Sequence, residues 1–316
     1  MYEEIFFSVA QIETRKHRDA IDIRACQPLR HAKCYHGDMG LVRRAAVAGS
    51  WYPAEADALG REVDRYFDAA GQPPHGDPLA IIAPHAGLMY SGPIAAHAYN
   101  LLRNRDIDIA VLAGPSHYVG FDGVAIYDQG AFDTPFGPIP IAQDCAAAIA
   151  TGSRLIAPHP TAHVREHSLE MQLPFLKRAV PRVEIVPLLM GYQRRETAHA
   201  LGDAIAAALQ GRRAVIIAST DLSHYRDAAT ASKLDGRVIE RVERFDAEGL
   251  MSLLETFPEH ACGGGPTVSV MRAARQLGAT DARILKYGDS GDVSGDKDAV
   301  VGYLAAAFGT FRPPDQ

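Results

Sequence analysis

Short apolar runs that alternate with helix-like stretches constrain this chain more than any other feature. LAIIAP (79–84), DIAVLAGP (108–115), GVAIYD (123–128), VEIVPLLM (183–190) and RAVIIAST (213–220) are almost unbroken in apolar character. A strand buried on both faces reads in this way, whereas a strand with one face in water alternates. Between these runs lie segments of helical composition. GPIAAHAYNLLR (92–103) has Pro93 near its start, and ETAHALGDAIAAALQ (196–210) stops at Gly211. HSLEMQLPFLKRA (167–179) also reads as a helix, one that Pro174 must start, kink or divide. Residues 228–255 read as mainly helical, and ARILKYGD (282–289) and AVVGYLAAAF (299–308) as closing strands. Pro187 within VEIVPLLM suggests an edge or irregular position. The pattern predicts an α/β fold, a central sheet that is mostly parallel or mixed, with helices on both faces.

No repeat, low-complexity tract or Pro/Ser-rich linker divides the ordered part, so residues 39–316 read as one domain. Residues 1–38 mix Arg, His, Cys and acids without periodicity. They are expected to be a weakly ordered extension, with Met39 as an alternative start. Cys26, His31, Cys34 and His36 fall there, at a spacing that fits no standard zinc pattern.

The net charge of -6 and the absence of a dense Lys/Arg run argue against a nucleic-acid partner. No apolar run approaches the roughly 20 residues needed to span a bilayer. The N-terminus has acids where a signal peptide needs bases. The four cysteines are scattered and form no CxxC pair, which suits reduced thiols and a cytoplasmic location. There is no GxSxG elbow, Walker A loop or GxGxxG after a strand, so hydrolase, P-loop and dinucleotide chemistry are disfavoured.

Three histidines hold equivalent positions. His85 follows LAIIAP, His117 follows IAVLAGPS and His224 follows AVIIASTDLS. Each sits at or past the carboxyl end of an apolar run, the edge of an open α/β sheet where ligands bind. A lone His is more often a structural hydrogen-bonder, but three at one edge point to a shared, metal-binding site. Asp221, three residues before His224, can orient an imidazole through its second nitrogen or, with Ser219, simply cap a turn. Cys262 lies in ACGGGPTVSVMRAAR, where Pro266 marks a helix start. There the helix dipole favours a thiolate, although a small buried Cys is the plainer account. In EHSLEMQLPFL (166–176), His167 and Glu170 share a helix face at i, i+3, the spacing of a metal pair or of a surface pair. Both are candidates for supporting the site or touching substrate, and Tyr118 is a candidate for lining it.

These segments, taken together, resemble the Memo-like family, also called AmmeMemoRadiSam system protein B. The matching stretches are AGSWYP (48–53), APHAGLMYSGP (83–93), LAGPSHY (112–118), EHSLEMQLPFL (166–176), STDLSHY (219–225), ACGGGP (261–266) and SGDVSGDKDAVVGY (290–303). The family's fold is similar to that of class III extradiol dioxygenases, which open catechol-type rings with non-haem Fe(II). The resemblance implies that His85, His117 and Cys262 are metal ligands and that His224 is the acid/base group. The dioxygenases use two His and a carboxylate; here a Cys takes the carboxylate's position, and a thiolate is softer. The implied ion is Fe(II) or Cu, with Zn as a further candidate. The implied activity is a metal-dependent oxidoreductase on a small aromatic or diol-like molecule, or else a non-catalytic metal- or peptide-binding protein. The family name also implies a functional link to AMMECR1-type and radical-SAM proteins.

Overall fold

The apolar runs form strands. A computed structural model describes residues 42–312. The expectations for residues 1–38, including Cys26, His31, Cys34 and His36, lie outside the described residues. In chain order the strands are β1 (Val42–Arg43), β2 (Gly76–Ala83), β3 (Ile109–Pro115), β4 (Val124–Ile126), β5 (Ala131–Phe132) and β6 (Ile139–Pro140). They continue as β7 (Ile156–Pro158), β8 (Glu184–Met190), β9 (Ala214–Ser219), β10 (His224–Arg226), β11 (Asp281–Asp289) and β12 (Val300–Phe311). The main sheet runs β10-β12-β2-β9-β3-β8-β4-β7, with β11 on the free side of β12. Strands β1, β5 and β6 form a separate small sheet.

The sheet is mixed. Its centre is parallel, from β2 through β9 and β3 to β8. The antiparallel pairs are β2 with β12, β12 with β10 and β11, and β8 with β4. Every residue of β3 is buried. Successive side chains of a strand point to opposite faces, so both faces are covered there. One helix group, Ala56–Ala70, Leu88–Asn100 and Leu173–Ala179, packs together and meets the sheet at β2, β11 and β12. A second group, Arg195–Leu209, Ala247–Thr256 and Gly264–Gln276, meets it at β2, β3 and β9. The first helix shows why it docks: Leu59, Val63, Tyr66 and Phe67 are buried at spacings that form one stripe.

Several boundaries differ from those expected. The helix expected over 92–103 spans Leu88–Asn100, which puts Pro93 inside it. A Pro there leaves the carbonyl of Met89 without its helical N–H partner. Pro174 divides its segment: a 3-10 turn, Glu170–Gln172, precedes the helix Leu173–Ala179. Residues 228–255 form two helices, Ala228–Glu243 and Ala247–Thr256. Asp227 and Asp246 cap them by accepting from the backbone N–H of Thr230 and Gly249. Strand β8 is interior, not an edge. Its Pro187 is tolerated because β4 ends at Ile126, and beyond that end Pro187 only accepts a hydrogen bond, from Tyr127 N at 3.1 Å. Among the described residues no helix is long and apolar enough to cross a membrane.

Candidate metal centre

Three adjacent parallel strands, β2, β9 and β3, end at one edge of the sheet. His85 follows β2 across Pro84, His117 follows β3 across Ser116, and Thr220 and Asp221 extend β9. Parallel register therefore brings together histidines that lie far apart in sequence. Cys262 arrives from the other side, two residues ahead of the helix Gly264–Gln276 that packs on the same strands. Gly263 makes this approach feasible: a Cβ there would stand 2.2 Å from the carbonyl oxygen of Ser219.

His85, His117 and Cys262 each offer a ligand atom, and all three atoms lie within 4.8 Å of one another. Each imidazole is held by its other nitrogen. His85 Nδ1 is 2.9 Å from Ser219 Oγ, and His117 Nδ1 is 2.9 Å from Glu166 Oε1. That leaves both Nε2 atoms for the third partner, the arrangement that metal-binding histidines require. His85 Nε2 lies 3.2 Å from Cys262 Sγ. The two rings cross at 76° with centroids 5.2 Å apart, so their lone pairs converge.

The charges are arranged for this. Burial pushes the Cys262 thiol up, but His85 and hydrogen bonds from both histidines outweigh it and bring it down to about 6. The backbone N–H of Asp221 also donates to Sγ at 3.2 Å. Burial pushes His117 down, yet Glu166 and Cys262 together lift it to about 10. Without a metal the pair is thus a thiolate beside an imidazolium, with one proton held between them.

A second trio, His117, Glu166 and His167, is equally close. It is the poorer ligand set. The His117 and His167 rings stack at 14° with centroids 4.6 Å apart, so their in-plane lone pairs run side by side and do not meet at one ion. Glu166 is moreover already saturated. It accepts from the backbone N–H groups of His117, His167 and Ser168 as well as from the His117 ring. It is buried, and although burial raises its pKa, His117 and His167 hold it well below the usual carboxylate range.

The remaining candidates fall in distinct places. His224 opens β10, and its neighbour Tyr225 has φ of 58°, a strained conformation for a non-glycine residue. Burial keeps His224 below the usual imidazole value against the pull of Asp221, so it is neutral at neutral pH. Asp221 accepts from the backbone N–H of His85 at 2.7 Å, and its other oxygen is 4.0 Å from His85 Nε2. It holds the His85 backbone, while Ser219 holds the ring. His167 lies between Trp51, at 4.4 Å between centroids, and His117; half-exposed Tyr118 meets it edge-on at 5.8 Å. The Glu170 carboxylate is taken up elsewhere than by His167. It is fully buried and bound to the segment Arg43–Tyr52. The i, i+3 reading assumed a helix, and residues 164–169 are not helical.

Sequence reasoning passed over Glu166, Ser219 as ring partner, Gln172 and Gln193. Gln172 Nε2 donates to Ser219 Oγ and to the Pro84 carbonyl, which locks the His85 support. Gln193 bridges the Cys262 loop: Nε2 donates to the Cys262 carbonyl at 2.6 Å, and Oε1 accepts from Gly265 N. Only Glu166, adjacent to His167, carried a signal in the sequence. Glu166→Gln tests its importance. The amide would aim a donor at the His117 N–H, leaving a buried conflict that costs about 1–3 kcal/mol. The field that favours a proton on His117 favours a divalent cation more strongly, so metal affinity should drop about 10- to 100-fold. Competition with a chelating dye measures this, and an unchanged affinity would mean that Glu166 does not support the ligand.

The fold and the site together define an α/β protein with a candidate three-ligand metal centre at the carboxyl edge of its sheet. The family model described as Memo-like protein matches residues 43–307, and the chain belongs to that family. A MEMO1 family protein of Methanothermobacter thermautotrophicus is 40% identical over 273 residues, covering 83% of this chain and 99% of that one. One from Methanosarcina mazei is 39% identical over 267 residues, covering 84% and 98%. A solved structure, of an uncharacterized protein from Escherichia coli K12, covers 72% of this chain and 99% of that one, at 15% identity and a TM-score of 0.48. That likeness is too loose to bear on either fold or activity.

Proposed function

We propose that the chain is a metal-dependent oxidoreductase acting on a small aromatic or diol-like molecule, with one transition ion held by His85, His117 and Cys262. The observation that carries this reading is the crossing of two oriented imidazoles on one thiolate. The donor set fits a transition ion: two nitrogens and a soft sulfur suit Cu, Fe or Zn and do not suit Ca or Mg. Fe(II) and Cu fit redox work, which Zn does not perform.

A bound ion there would supply a Lewis-acidic, redox-capable centre for a diol and dioxygen. The chain's own residues do the rest. Glu166 and Ser219 hold the two rings in place. Neutral His224 is free to take a substrate proton and return it, which is typically worth about 100- to 10,000-fold in rate. Trp51 and half-exposed Tyr118 flank His167 beside the ligands and offer aromatic surface suited to a planar substrate. A second reading, a non-catalytic metal- or peptide-binding protein, is favoured by Cys262, because a thiolate takes the position that the ring-cleaving enzymes give to a carboxylate.

The test is metal content of protein purified without oxygen or chelator, followed by oxygen uptake on a panel of catechol-type diols. About one Fe or Cu per chain with diol-dependent uptake supports the enzyme. Metal without uptake supports the binder, and no metal even after reconstitution removes every metal-dependent reading and leaves only a peptide-binding pocket. Proton release offers a further check. Near pH 8 the thiol, at about 6, has already lost its proton, while His117, at about 10, still holds its own. Binding should therefore release about one proton per ion, and affinity should rise with pH until about 10. Calorimetry in two buffers of different ionisation enthalpy measures this; zero release would mean that the ion displaces no proton from His117.

A further inference from the structure

Glu170 is fully buried and takes no part in the metal group. Its carboxylate pairs with the Arg43 guanidinium and accepts from Ala46 N at 2.7 Å, Val47 N at 3.0 Å and the Tyr52 hydroxyl at 2.7 Å. All of these donors belong to one segment, Arg43–Tyr52. A buried charge persists only when it is paired and fully hydrogen-bonded, and among the described residues it is this segment that meets that condition for Glu170. The segment carries Trp51 to His167, with ring centroids 4.4 Å apart. The Trp51 carbonyl accepts from Leu88 N at 2.9 Å, at the start of the helix that follows His85. His167 in turn stacks on His117. The short stretch 166–170 therefore grips the segment at its polar root, where Glu170 and the Glu166 carbonyl both take the Arg43 guanidinium, and at its aromatic tip, by His167.

We propose that Glu170 is a positioning residue for the pocket wall: it fixes the Arg43–Tyr52 segment so that Trp51 stands against His167 beside the ligand His117. That the wall borders a metal rests on the function proposed above; the clamp itself does not.

The chain contains one tryptophan, so its fluorescence reports Trp51 alone. Glu170→Gln keeps the volume, removes the charge and turns one acceptor into a donor. In metal-free protein the variant should show red-shifted emission and easier quenching by acrylamide, with an unchanged far-UV spectrum. With Cu(II) bound to equal occupancy, checked by elemental analysis, most of the copper quenching of Trp51 should be lost. Tyr52→Phe removes a single hydrogen bond and should move the same signals less, and it decides the matter if Glu170→Gln does not fold. Emission and acrylamide quenching equal to wild type in the folded variants would overturn the proposal. So would a Trp51 change that comes only with a loss of helical signal, because that marks a general structural role. If the wild type takes up no copper, the metal reading fails while the metal-free arm still tests the clamp.

Discussion

Cys262→Ala protein should purify with almost no transition metal under conditions that leave the wild type loaded. A structural zinc site with four ligands binds with about 10–16 kcal/mol, so one ligand carries roughly 3 kcal/mol, or about 100-fold in affinity. The effect should be at least that large here, because Cys262 is the one sulfur of the trio and the anion on which both histidines converge. Losing the thiolate removes an attraction that favours a divalent ion and leaves two neutral donors, a weak site for any of the candidate metals. The fold should tolerate the change. The helix start beyond Cys262 is held independently, by Gln193 on Gly265 N and by Thr220 on Gly263 N. Elemental analysis beside thermal melting separates the outcomes: metal lost with a near-native melt supports the assignment, and metal retained shows that Cys262 is not a ligand.

The sequence made the architecture legible because buried parallel strands leave an unmistakable composition, as in Ile109–Pro115 and Ala214–Ser219. It also made three of the key histidines legible, because in such a sheet the residue just past a strand is at the functional edge whatever the connections are. What it could not reveal is phase outside regular elements. His167 and Glu170 were paired on the assumption of a helix, and the absence of one there turns Glu170 to a partner segment more than a hundred residues away. The supports of the two ligand rings were hidden for a similar reason. Ser219 reaches His85 from 134 positions along the chain, and Glu166 reaches His117 from 49. A side-chain hydrogen bond of that kind has no periodic trace in sequence. The ionisation of Cys262 was only half legible. The helix start was visible, whereas the dominant opposing influence on its burial is His85, a neighbour created by the fold.

His224→Ala separates a ligand from an acid/base group. If His224 moves protons, the variant should keep its metal and lose about 100- to 10,000-fold in turnover of whichever diol the wild type consumes. Two observations set the sign. His224 belongs to neither of the metal-capable groups found among the described residues. It is also close enough to feel the charges of both His117 and Asp221, and burial keeps its imidazole neutral and able to accept a proton. The strained backbone at Tyr225 gives a reason to expect function at this position, since such strain persists where surrounding structure enforces it. A fall in turnover with full metal content would assign His224 to proton transfer. Loss of the metal together with activity would make it a fourth ligand, and the acid/base role would then pass to another residue. Unchanged turnover would remove His224 from the chemistry altogether and would favour the reading in which the pocket binds without reacting.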